Sequence, residues 1–401
     1  MTQRALVIGA SHAGAQLCAS LRQEGWSGEI VLIGDEAATP YQRPPLSKAY
    51  LAGRCGLGEI SIRSADFYSK QCIELVNARV EAIDRPAGHI VLGSGDVMAY
   101  DKLALCTGAR PRRLHVPGAD LGGVHYLRTA ADVDDIRAAA TRGRRVVIVG
   151  GGYIGLETAA SLRALGLHVT VLEATTRVLE RVTAPDVSSF FERIHREKGV
   201  DIRTNARVEG LSGNRTVREV TLTSGDTIPA DLVIVGIGVE PNTDLADGAG
   251  LLVDNGIVID DHALTDDPDI TAAGDCASHR MARYGRRIRM ESVSSAGEQA
   301  KVAASTICGN TRSIEALPWF WSDQYDVKLQ IAGLNTGYDE VVLSGDPTRD
   351  RDFSCYYLNS GELIAADCIR RPRDFMFSKR IIANHLPVVK ADLVVGGSAR
   401  S

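Results

Sequence analysis

The chain has 401 residues, 44% of them hydrophobic and 5% aromatic, and a formal net charge of −5 at pH 7. This length suits two or three domains with a large core, and the mild charge does not indicate nucleic-acid binding. No apolar run reaches membrane-spanning length and the first residues pass directly into a predicted strand, so we expect a cytoplasmic protein. Eight cysteines without a CxxC pair suit a reducing compartment and argue against zinc, so no metal site is predicted.

The first predicted βαβ unit contains a glycine-rich turn. A strand over residues 5–8 runs into Gly9-x-Ser11-x-x-Gly14, and the next predicted strand ends before Asp35. Such a turn places a pyrophosphate on the N-terminus of the following helix, and the acid can hydrogen-bond a ribose. Ser11 occupies the middle-glycine position, where its side chain crowds the pyrophosphate unless the loop shifts or its hydroxyl donates a hydrogen bond. Alone, this turn is a weak signal for a dinucleotide site.

A proline-rich loop follows this unit, with the sequence Pro40-Tyr41-Gln42-Arg43-Pro44-Pro45-Leu46-Ser47-Lys48. Its prolines stiffen the backbone, and it carries two cations near the predicted cofactor. Arg43 and Lys48 can contact a phosphate or the ring system of the cofactor, or they can be ordinary surface charges.

A complete dinucleotide fingerprint occupies residues 145–173. A buried strand runs into Gly150-x-Gly152-x-x-Gly155, a helix follows, and a second strand closes on Glu173, which lies 23 residues after the first glycine. Glu173 can accept hydrogen bonds from an adenosine ribose 2′-OH, whereas its carboxylate would repel a 2′-phosphate. The pattern therefore favours NADH over NADPH.

An internal repeat indicates two similar nucleotide-binding domains. Residues 101–111 align without a gap on residues 231–241, with matching Asp, Gly and Pro positions, and each copy lies downstream of a glycine turn. Two dinucleotides are therefore implied, and a permanently held FAD with an exchanging NADH is the natural division. A further predicted strand, within residues 269–277, leads to Asp275, which can bind the ribityl hydroxyls of FAD or can simply cap a turn.

The chain resembles the NADH-dependent ferredoxin reductases of bacterial oxygenase systems over nearly its whole length. The segments that carry this resemblance are Tyr41 to Lys48, Thr107-Gly108-Ala109-Arg110-Pro111, Gly150 to Glu157, Arg177 to Pro185, His195 to Thr204, Gly274-Asp275-Cys276 and Pro318 to Tyr325. The glycine turns occur in many flavoproteins, but the stretch Trp319-Phe320-Trp321-Ser322-Asp323-Gln324 is much more specific to this family.

The resemblance implies a glutathione-reductase-like α/β fold, with two Rossmann-type dinucleotide-binding domains and an α/β C-terminal domain. The FAD domain would be discontinuous, formed by residues 1–112 and 243–317. An NADH domain at residues 113–242 would be inserted between these parts, and residues 318–401 would form the C-terminal domain.

The motifs and the resemblance together assign two groups of cofactor-binding residues. The FAD group is Gly9, Ser11, His12, Ala13, Gly14, Asp35, Arg43, Lys48, Val80, Thr107, Gly108, Arg128, Asp275, Val293 and Trp321. The NADH group is Gly150, Gly152, Tyr153, Ile154, Gly155, Glu157, Glu173, Arg181 and Gly238. Arg128 and Val293 rest on the resemblance alone, and Val80 is equally well explained as a core valine of an edge strand.

Lys48, Glu157 and Trp321 are the predicted catalytic residues. The family pairs the lysine of its Pro-Pro-Leu-Ser-Lys loop with the glutamate after the second glycine turn, which are Lys48 and Glu157 here. A cation beside flavin N5 would favour the reduced flavin, and the carboxylate would orient the lysine. The alternative is a solvated lysine and a glutamate on a helix surface. Trp321 would stand beside the flavin or at the electron exit, whereas Trp319 and Phe320 are expected in the core.

The resemblance also implies a [2Fe-2S] ferredoxin as electron acceptor. Ferredoxins are usually acidic, and local basic clusters can steer such a partner or can simply be solvated surface. The two clusters are Arg280, Arg283, Arg286, Arg287 and Arg289, and Arg370, Arg371, Arg373, Lys379 and Arg380. Arg63 and Lys301 are added by resemblance. No nucleic acid or membrane partner is expected, and the oligomeric state, monomer or weak dimer, stays open.

Three other functions compete with a reductase that feeds an aromatic-ring dioxygenase or a cytochrome monooxygenase. A flavin disulfide reductase needs a redox cysteine pair where this chain has residues 41–48. A single-cysteine peroxidase or NADH oxidase would have to use Cys55, which has no base beside it in the sequence. An apoptosis-inducing-factor-like redox switch with slow electron transfer would share both nucleotide sites and the Lys48–Glu157 pair, and it is the remaining alternative.

Overall fold

The computed structural model describes residues 3–395. Its strands, in chain order, are β1 (Arg4–Ile8), β2 (Glu29–Gly34), β3 (Ile73–Asn77), β4 (Val80–Asp84), β5 (His89–Leu92), β6 (Val97–Ala99), β7 (Lys102–Leu105), β8 (Ala109–Pro111), β9 (Val124–Tyr126), β10 (Arg145–Val149), β11 (His168–Leu172), β12 (Asp201–Arg203), β13 (Val208–Gly213), β14 (Val217–Leu222), β15 (Thr227–Pro229), β16 (Leu232–Val235), β17 (Val239–Pro241), β18 (Ile257–Ile259), β19 (Ile270–Ala272), β20 (Ala277–Met281), β21 (Arg286–Arg289), β22 (Trp319–Gln324), β23 (Val327–Gly333), β24 (Glu340–Ser344), β25 (Phe353–Asn359) and β26 (Glu362–Ile369).

The α-helices are α1 (His12–Gln23), α2 (Ala65–Lys70), α3 (Ala130–Ala139), α4 (Tyr153–Ala164), α5 (Pro185–Glu197), α6 (Asp244–Gly248), α7 (Val293–Ile307), α8 (Pro372–Ala383) and α9 (Lys390–Val394). Short 3-10 helices cover Pro44–Ser47, Leu57–Ile60 and Ala282–Tyr284. Within residues 3–395, none of the helices combines the length and the apolar character that crossing a bilayer requires.

The described residues divide into two compact units. Unit 1 comprises residues 3–43, 57–110 and 240–316, and unit 2 comprises residues 44–56, 111–239 and 317–395. The segment 44–56, which carries Lys48, groups with unit 2 although it lies within the first segment of the predicted FAD domain. The four-part division into FAD, NADH and C-terminal domains stays a prediction.

Unit 1 is built on a parallel sheet with the strand order β19-β7-β1-β2-β3. The central strands are in register, with Leu6 of β1 opposite Val31 of β2 and Leu103 of β7. Their continuous apolar sequences are explained by burial on both faces, as is usual for parallel sheets. Helix α1 packs against α7, and an antiparallel three-stranded sheet, β4-β5-β6, follows β3 in the chain.

Unit 2 contains a second parallel sheet with the order β12-β11-β10-β16-β9. Ile148 of β10 lies opposite Val171 of β11 and Ile234 of β16. The chain order β10-α4-β11-α5-β12, then the three-stranded sheet β13-β14-β15 and β16, repeats the order β1-α1-β2-α2-β3, β4-β5-β6 and β7 of unit 1. The repeated segments of the sequence therefore contain β7 and β16. Strand β7 pairs with β1, and β16 pairs with β10.

The C-terminal part of unit 2 is an antiparallel sheet with the order β22-β23-β26-β25-β24. Helix α8 packs against β23 and β26, and β25 is buried from Phe353 to Leu358. The prediction of an α/β fold with two Rossmann-type domains and an α/β C-terminal domain is confirmed.

Candidate functional site

The glycine turn of unit 1 is held by contacts that leave no room for a side chain at two positions. Gly9 has φ +113°, and a Cβ built there would lie 2.0 Å from the carbonyl oxygen of Cys106. At Gly14, a Cβ would lie 2.1 Å from the carbonyl oxygen of Gly9. Because neither backbone atom can move aside, both positions require glycine, and the turn brings β1 tightly into α1.

Ser11 stands immediately before α1, and its side chain makes no capping hydrogen bond. Its hydroxyl accepts a long hydrogen bond of 3.4 Å from Nε of Arg43. The amide groups of the first turn of α1 are therefore not satisfied by a capping side chain, which is the donor set that a pyrophosphate requires. This arrangement fits the pyrophosphate of FAD although serine replaces the middle glycine, while His12 and Ala13 begin α1 beside it.

Arg43 forms an ion pair with Glu36, a residue that the sequence analysis did not single out. Tyr41 donates a hydrogen bond to the same carboxylate, and Nη1 of Arg43 donates to the Tyr41 hydroxyl over 2.8 Å. Asp35, the predicted ribose ligand, is exposed at the end of β2. The one available signal for Glu36 was its place directly after Asp35, where two adjacent acids follow the strand.

The other predicted FAD residues of unit 1 occupy strand ends and turns. Thr107 and Asn242 hold each other, since the Thr107 hydroxyl donates to the Asn242 carbonyl over 2.6 Å and the Asn242 amide donates to the Thr107 carbonyl over 2.8 Å. Gly108 follows with φ +67°. Asp275 is half-buried after β19, where its carbonyl accepts from Arg289 over 3.2 Å. The two remaining residues, Val80 and Val293, are the first residues of β4 and α7.

The glycine turn of unit 2 combines two crowded positions with one open position. A Cβ at Gly150 would lie 2.3 Å from the carbonyl oxygen of Gly236, and one at Gly155 would lie 2.1 Å from that of Gly150. A Cβ at Gly152 would meet nothing within 4 Å. The backbone of Gly152, which precedes α4, therefore borders open space, as close approach of a pyrophosphate to this turn requires.

Glu173 braces the same turn. One carboxylate oxygen accepts a hydrogen bond from the backbone of Gly151 over 2.8 Å, and the other accepts from the backbone and hydroxyl of Thr175, each over 2.9 Å. A carboxylate has about four lone-pair sites, so these bonds leave capacity for a ribose hydroxyl. The sequence predicted the ribose role of Glu173, but not its hydrogen bond to the turn.

Four further predicted NADH residues lie in unit 2. Ile154 is 45% exposed. Arg181 is exposed, and a terminal nitrogen of its guanidinium lies 3.9 Å from the position of a Cβ at Gly238, so these two residues, distant in sequence, come together. Tyr153 packs its ring on Phe320, and burial raises the pKa of its hydroxyl well above the ordinary value, with a smaller contribution from the Asp367 and Glu157 carboxylates.

Lys48 and Glu157 form the predicted pair. Nζ of Lys48 lies 2.6 Å from Oε2 of Glu157, whose side chain is 1% exposed, and the same ammonium donates to the Pro44 carbonyl over 3.2 Å. The 3-10 helix Pro44–Ser47 positions the lysine, and Ser161 of α4 fixes it by donating to the Ser47 carbonyl over 2.7 Å. The alternative of a solvated lysine and a surface glutamate is not what the structure shows.

Two hydroxyls complete the surroundings of the Glu157 carboxylate. Ser47 donates to Oε2 over 2.5 Å, and Ser322 donates to Oε1 over 2.7 Å. A carboxylate removed from water requires such compensation, because burying an unpaired charge is costly. Neither serine was predicted from the sequence as a partner of Glu157. A signal for Ser322 exists in the alternation of β22, where Ser322 and Gln324 are buried and Trp321 and Asp323 are only half-buried.

Trp321 lies on β22 within a group of aromatic rings. Its ring centroid is 5.5 Å from that of Trp319 and 6.4 Å from that of Phe320. Trp319 also contacts Phe375, so it packs in the C-terminal core as expected. Arg128, the other predicted FAD residue of unit 2, is half-buried and donates its backbone N–H to Asp132 over 3.1 Å.

All eight cysteines are free thiols. Cys18, Cys106 and Cys276 are buried in unit 1, and burial raises the pKa of each thiol, which makes them poor nucleophiles. Across residues 3–395, no group of three or more His, Cys, Asp or Glu side chains is placed to hold a metal ion. The chain thus carries two glycine turns and an ion pair between the half-buried Lys48 and the buried Glu157, and its eight cysteines form no disulfide.

Comparison with known proteins agrees with this arrangement. The model of the pyridine nucleotide-disulphide oxidoreductase family matches residues 3–300, and the reductase C-terminal model matches residues 319–395. Putidaredoxin reductase CamA of Pseudomonas putida is 45% identical over 390 residues, which cover 96% of this chain and 92% of that protein.

Two solved structures resemble the chain over nearly its full length. The crystal structure of the covalent putidaredoxin reductase–putidaredoxin complex matches with a TM-score of 0.95 and 44% identity, covering 98% of this chain and 95% of that one. The ferredoxin reductase for the CYP199A2 system from Rhodopseudomonas palustris matches with a TM-score of 0.96 and 41% identity, covering 99% and 98%. The chain therefore belongs to the pyridine nucleotide-disulphide oxidoreductase family, and within it to the FAD-dependent ferredoxin reductases.

Proposed function

We propose that this protein takes a hydride from NADH onto bound FAD and passes single electrons to a [2Fe-2S] ferredoxin that feeds an oxygenase. The observation that carries this proposal is the ion pair between Lys48 and the buried Glu157 carboxylate, in a chain that also holds two separate glycine turns. The relatives support the partner class, since one of the matching structures is a reductase joined to putidaredoxin. When bound, FAD supplies the conversion of a two-electron donor into single electrons.

The cofactor-binding roles follow from the two turns. The turn from Gly9 to Gly14, with the first-turn amides of α1, would hold the pyrophosphate of FAD, and Asp35 would hold its adenosine ribose. The turn from Gly150 to Gly155 would hold NADH in the same manner. Glu173 would favour NADH over NADPH, because a carboxylate already in place beside this turn repels a 2′-phosphate.

The Lys48–Glu157 pair would position a cation for hydride transfer. Ser47 and Ser322 fix the Glu157 carboxylate by donating hydrogen bonds, and the carboxylate in turn fixes the Lys48 ammonium. Neither group therefore has to reorganise during the reaction. Trp321, half-buried on β22, would shield the reacting groups from water.

The basic residues proposed for ferredoxin docking differ in their availability. Arg370 lies 3.6 Å from Asp326, and Arg371 forms ion pairs with Asp352 and Asp374, so both are partly neutralised. Arg63 and Lys301 are exposed, and no ion pair of either is found within residues 3–395. We therefore propose that, of these four residues, Arg63 and Lys301 contribute most to attracting an acidic ferredoxin.

The cellular location is inferred from the cysteines. Of the eight free thiols, those of Cys55, Cys72 and Cys308 are exposed or half-buried and would be at risk in an oxidising compartment. We therefore propose that the protein acts in the cytoplasm.

A ferredoxin-reduction assay over a series of salt concentrations tests the function and the docking residues together. Purified holoprotein with NADH should reduce an acidic [2Fe-2S] ferredoxin, and the KM for ferredoxin should rise with ionic strength. Arg63→Glu and Lys301→Glu should each raise that KM roughly tenfold while NADH still bleaches the flavin at the original rate. Arg349→Glu, which reverses another side chain that is 85% exposed, serves as control. A ferredoxin that is not reduced at any salt concentration would overturn the proposal.

A further inference from the structure

A row of hydrogen bonds extends from the Glu157 carboxylate away from Lys48. We call this row the Glu157 chain. Its members, in order from the carboxylate, are Ser322, Gln324, His195 and Tyr325. Three of these four side chains, those of Ser322, Gln324 and His195, are fully buried. They come from β22, from the turn after it and from α5, which are all elements of unit 2.

Every link of the Glu157 chain is made. Ser322 donates to Oε1 of Glu157 over 2.7 Å, and Nε2 of Gln324 lies 3.2 Å from the Ser322 hydroxyl oxygen. Oε1 of Gln324 is 2.9 Å from Nε2 of His195. The Tyr325 hydroxyl is 3.1 Å from Nδ1 of His195. The chain is therefore continuous from Tyr325 to the carboxylate.

The state of His195 gives the chain its direction. Burial lowers the pKa of His195 to about 4, although the bond with Gln324 opposes the shift, so the imidazole is neutral at pH 7. A neutral imidazole has one donor and one acceptor nitrogen. When Nε2–H donates to the Gln324 side-chain oxygen, Nδ1 accepts a hydrogen bond from the Tyr325 hydroxyl. Every donor of the chain then faces toward Glu157.

The opposite direction would cost Glu157 a donor. If the Gln324 amide were turned over, its oxygen would accept the Ser322 proton, and Oε1 of Glu157 would lose the hydroxyl that now donates to it. The remaining donors, Ser47 and Lys48, both act on Oε2. The arrangement that points toward the carboxylate is therefore favoured, because a buried carboxylate oxygen without a donor is expensive.

An unusual backbone conformation accompanies Tyr325, the outermost member of the Glu157 chain. Tyr325 adopts φ +56°, a left-handed conformation that bulky residues rarely take, in the turn between β22 and β23. In this conformation the Tyr325 hydroxyl is within hydrogen-bond distance of Nδ1 of His195. The centroids of the tyrosine and imidazole rings are 5.0 Å apart, and the two rings are tilted relative to each other. The strained turn thus supplies the first donor of the chain.

We propose that the Glu157 chain orients the Glu157 carboxylate toward Lys48, so that its members are positioning residues for NADH oxidation. This inference rests on the proposed function, because the role of Glu157 in hydride transfer is part of that function. It adds four residues on β22, in the turn after β22 and on α5. We do not expect any of the four to touch the reacting groups.

The kinetic test removes single links of the chain from the holoprotein. Ser322→Ala should lower the limiting rate constant of flavin reduction by NADH roughly tenfold, the effect of one hydrogen bond to a charged group, with little change in the apparent Kd for NADH. Ser322→Thr keeps a hydroxyl and should restore the rate. Gln324→Leu should match Ser322→Ala, and the double variant should be no slower than either, because both changes interrupt one series of bonds.

Ser354→Ala is the matched control. Ser354 is also fully buried in the C-terminal sheet, and its hydroxyl donates to the Asp374 carboxylate over 2.8 Å, not to Glu157. The substitution removes the same hydroxyl from an equivalent strand environment. The control variant should reduce its flavin at a rate within about twofold of that of the wild type. Comparable urea midpoints for Ser354→Ala and Ser322→Ala would show that lost stability does not cause the difference in rate between them.

A second readout does not depend on catalysis. In protein with ¹⁵N-labelled histidine, the ring signals of His195, identified by their absence in His195→Gln, should show a neutral imidazole protonated on Nε2. Ser322→Ala should shift these signals through Gln324, whereas Ser354→Ala should not. This measurement also remains informative if NADH does not reduce the wild-type flavin, a result that would reject the proposed function alone.

Two results would overturn the inference. Rates and His195 signals unchanged in Ser322→Ala would show that the carboxylate does not depend on the chain. Fully additive rate losses in the Ser322→Ala/Gln324→Leu double variant would show that the two residues act separately.

Discussion

Glu157 has three donors around one buried carboxylate, and these donors come from two stretches that are far apart in the sequence. Ser47 and Lys48 belong to the loop after the first glycine turn, and Ser322 belongs to β22. The family resemblance supplied the lysine, because its motif is contiguous with two prolines. The sequence does not distinguish Ser47 from the other serines of the chain. The alternation of β22 marks Ser322 as buried but does not indicate Glu157 as its partner, since these roles depend on how distant strands and loops meet.

The lysine–glutamate pair should behave as a unit. Lys48→Met leaves the Glu157 carboxylate buried with hydroxyl donors only, which should lower the free energy of unfolding by about 3 kcal/mol, and adding Glu157→Gln should recover most of that loss. The rates of flavin reduction should likewise be non-additive in the double variant. Urea unfolding and anaerobic NADH reduction of the four proteins measure both effects. Additive losses in both would assign the two residues to separate roles.

Glu173 should discriminate between the two dinucleotides through its charge. Glu173→Gln keeps an oxygen that can accept the Gly151 N–H but removes the repulsion of a 2′-phosphate, so the ratio of kcat/KM for NADH to that for NADPH should fall by roughly tenfold or more. Glu173→Ala loses the brace as well and should also weaken NADH binding. An unchanged ratio in Glu173→Gln would contradict the assignment.

At the scale of elements, the two βαβ units were the most predictable part of the chain. Their buried strands are continuous apolar runs, and their turns need glycine for reasons that a sequence motif records. The repeat of residues 101–111 at residues 231–241 could be read directly, and β7 and β16 confirm it. Two side-chain partners in unit 1 were not predicted. Glu36 pairs with Arg43, and Asn242 hydrogen-bonds to Thr107, and both contacts depend on how separate segments of the chain meet.

The glycines of the second turn should separate folding from binding. Gly155→Ala places a Cβ 2.1 Å from the carbonyl oxygen of Gly150 and should lower the free energy of unfolding by about 3 kcal/mol or more. Gly152→Ala meets no atom within 4 Å and should change stability by less than about 1 kcal/mol while weakening NADH binding. Urea unfolding and NADH titration distinguish the two variants. Unimpaired NADH affinity in Gly152→Ala would place the pyrophosphate elsewhere.

For the whole molecule, the pH dependence of stability should reflect a buried acid of the C-terminal sheet. Asp367 on β26 is 1% exposed, and Tyr357 donates a hydrogen bond to its Oδ2 over 2.5 Å. Burial raises the pKa of Asp367 to about 7, although the bond from Tyr357 opposes the shift. Within residues 3–395, Oδ1 of Asp367 has no hydrogen-bond partner. The folded protein therefore retains a proton that the unfolded chain releases near pH 4.

The sign of the effect follows from this difference in bound protons. Between about pH 4 and pH 7 the Asp367 carboxyl binds more protons in the folded state than in the unfolded state, so its contribution to stability falls as the pH rises, by up to about 1.4 kcal/mol per pH unit. The buried neutral His195 contributes in the opposite sense below its ordinary pKa, so the slope due to Asp367 is obtained as the difference between the wild type and Asp367→Asn. Asp367→Asn should abolish this slope, whereas Asp374→Asn, which alters another buried acid, should retain it. Urea unfolding at pH 5, 6, 7 and 8 measures the difference. Parallel pH profiles for the wild type and Asp367→Asn would contradict the account.

A ferredoxin reductase must release electrons from its flavin one at a time. Neither the fold nor the Lys48–Glu157 pair alone distinguishes such a reductase from a redox switch. Membership of the FAD-dependent ferredoxin reductases favours the reductase. The rate of electron transfer to a ferredoxin is the property that separates the two functions.

An anaerobic stopped-flow experiment tests this property most directly. The holoprotein is reduced with one equivalent of NADH, or of NADPH as control, and then mixed with an oxidised [2Fe-2S] ferredoxin. We predict fast bleaching of the flavin by NADH, little bleaching by NADPH, and rapid passage of electrons to the iron–sulfur protein. A reduced flavoprotein that forms quickly, persists and ignores several ferredoxins would contradict the ferredoxin reductase and indicate a redox switch.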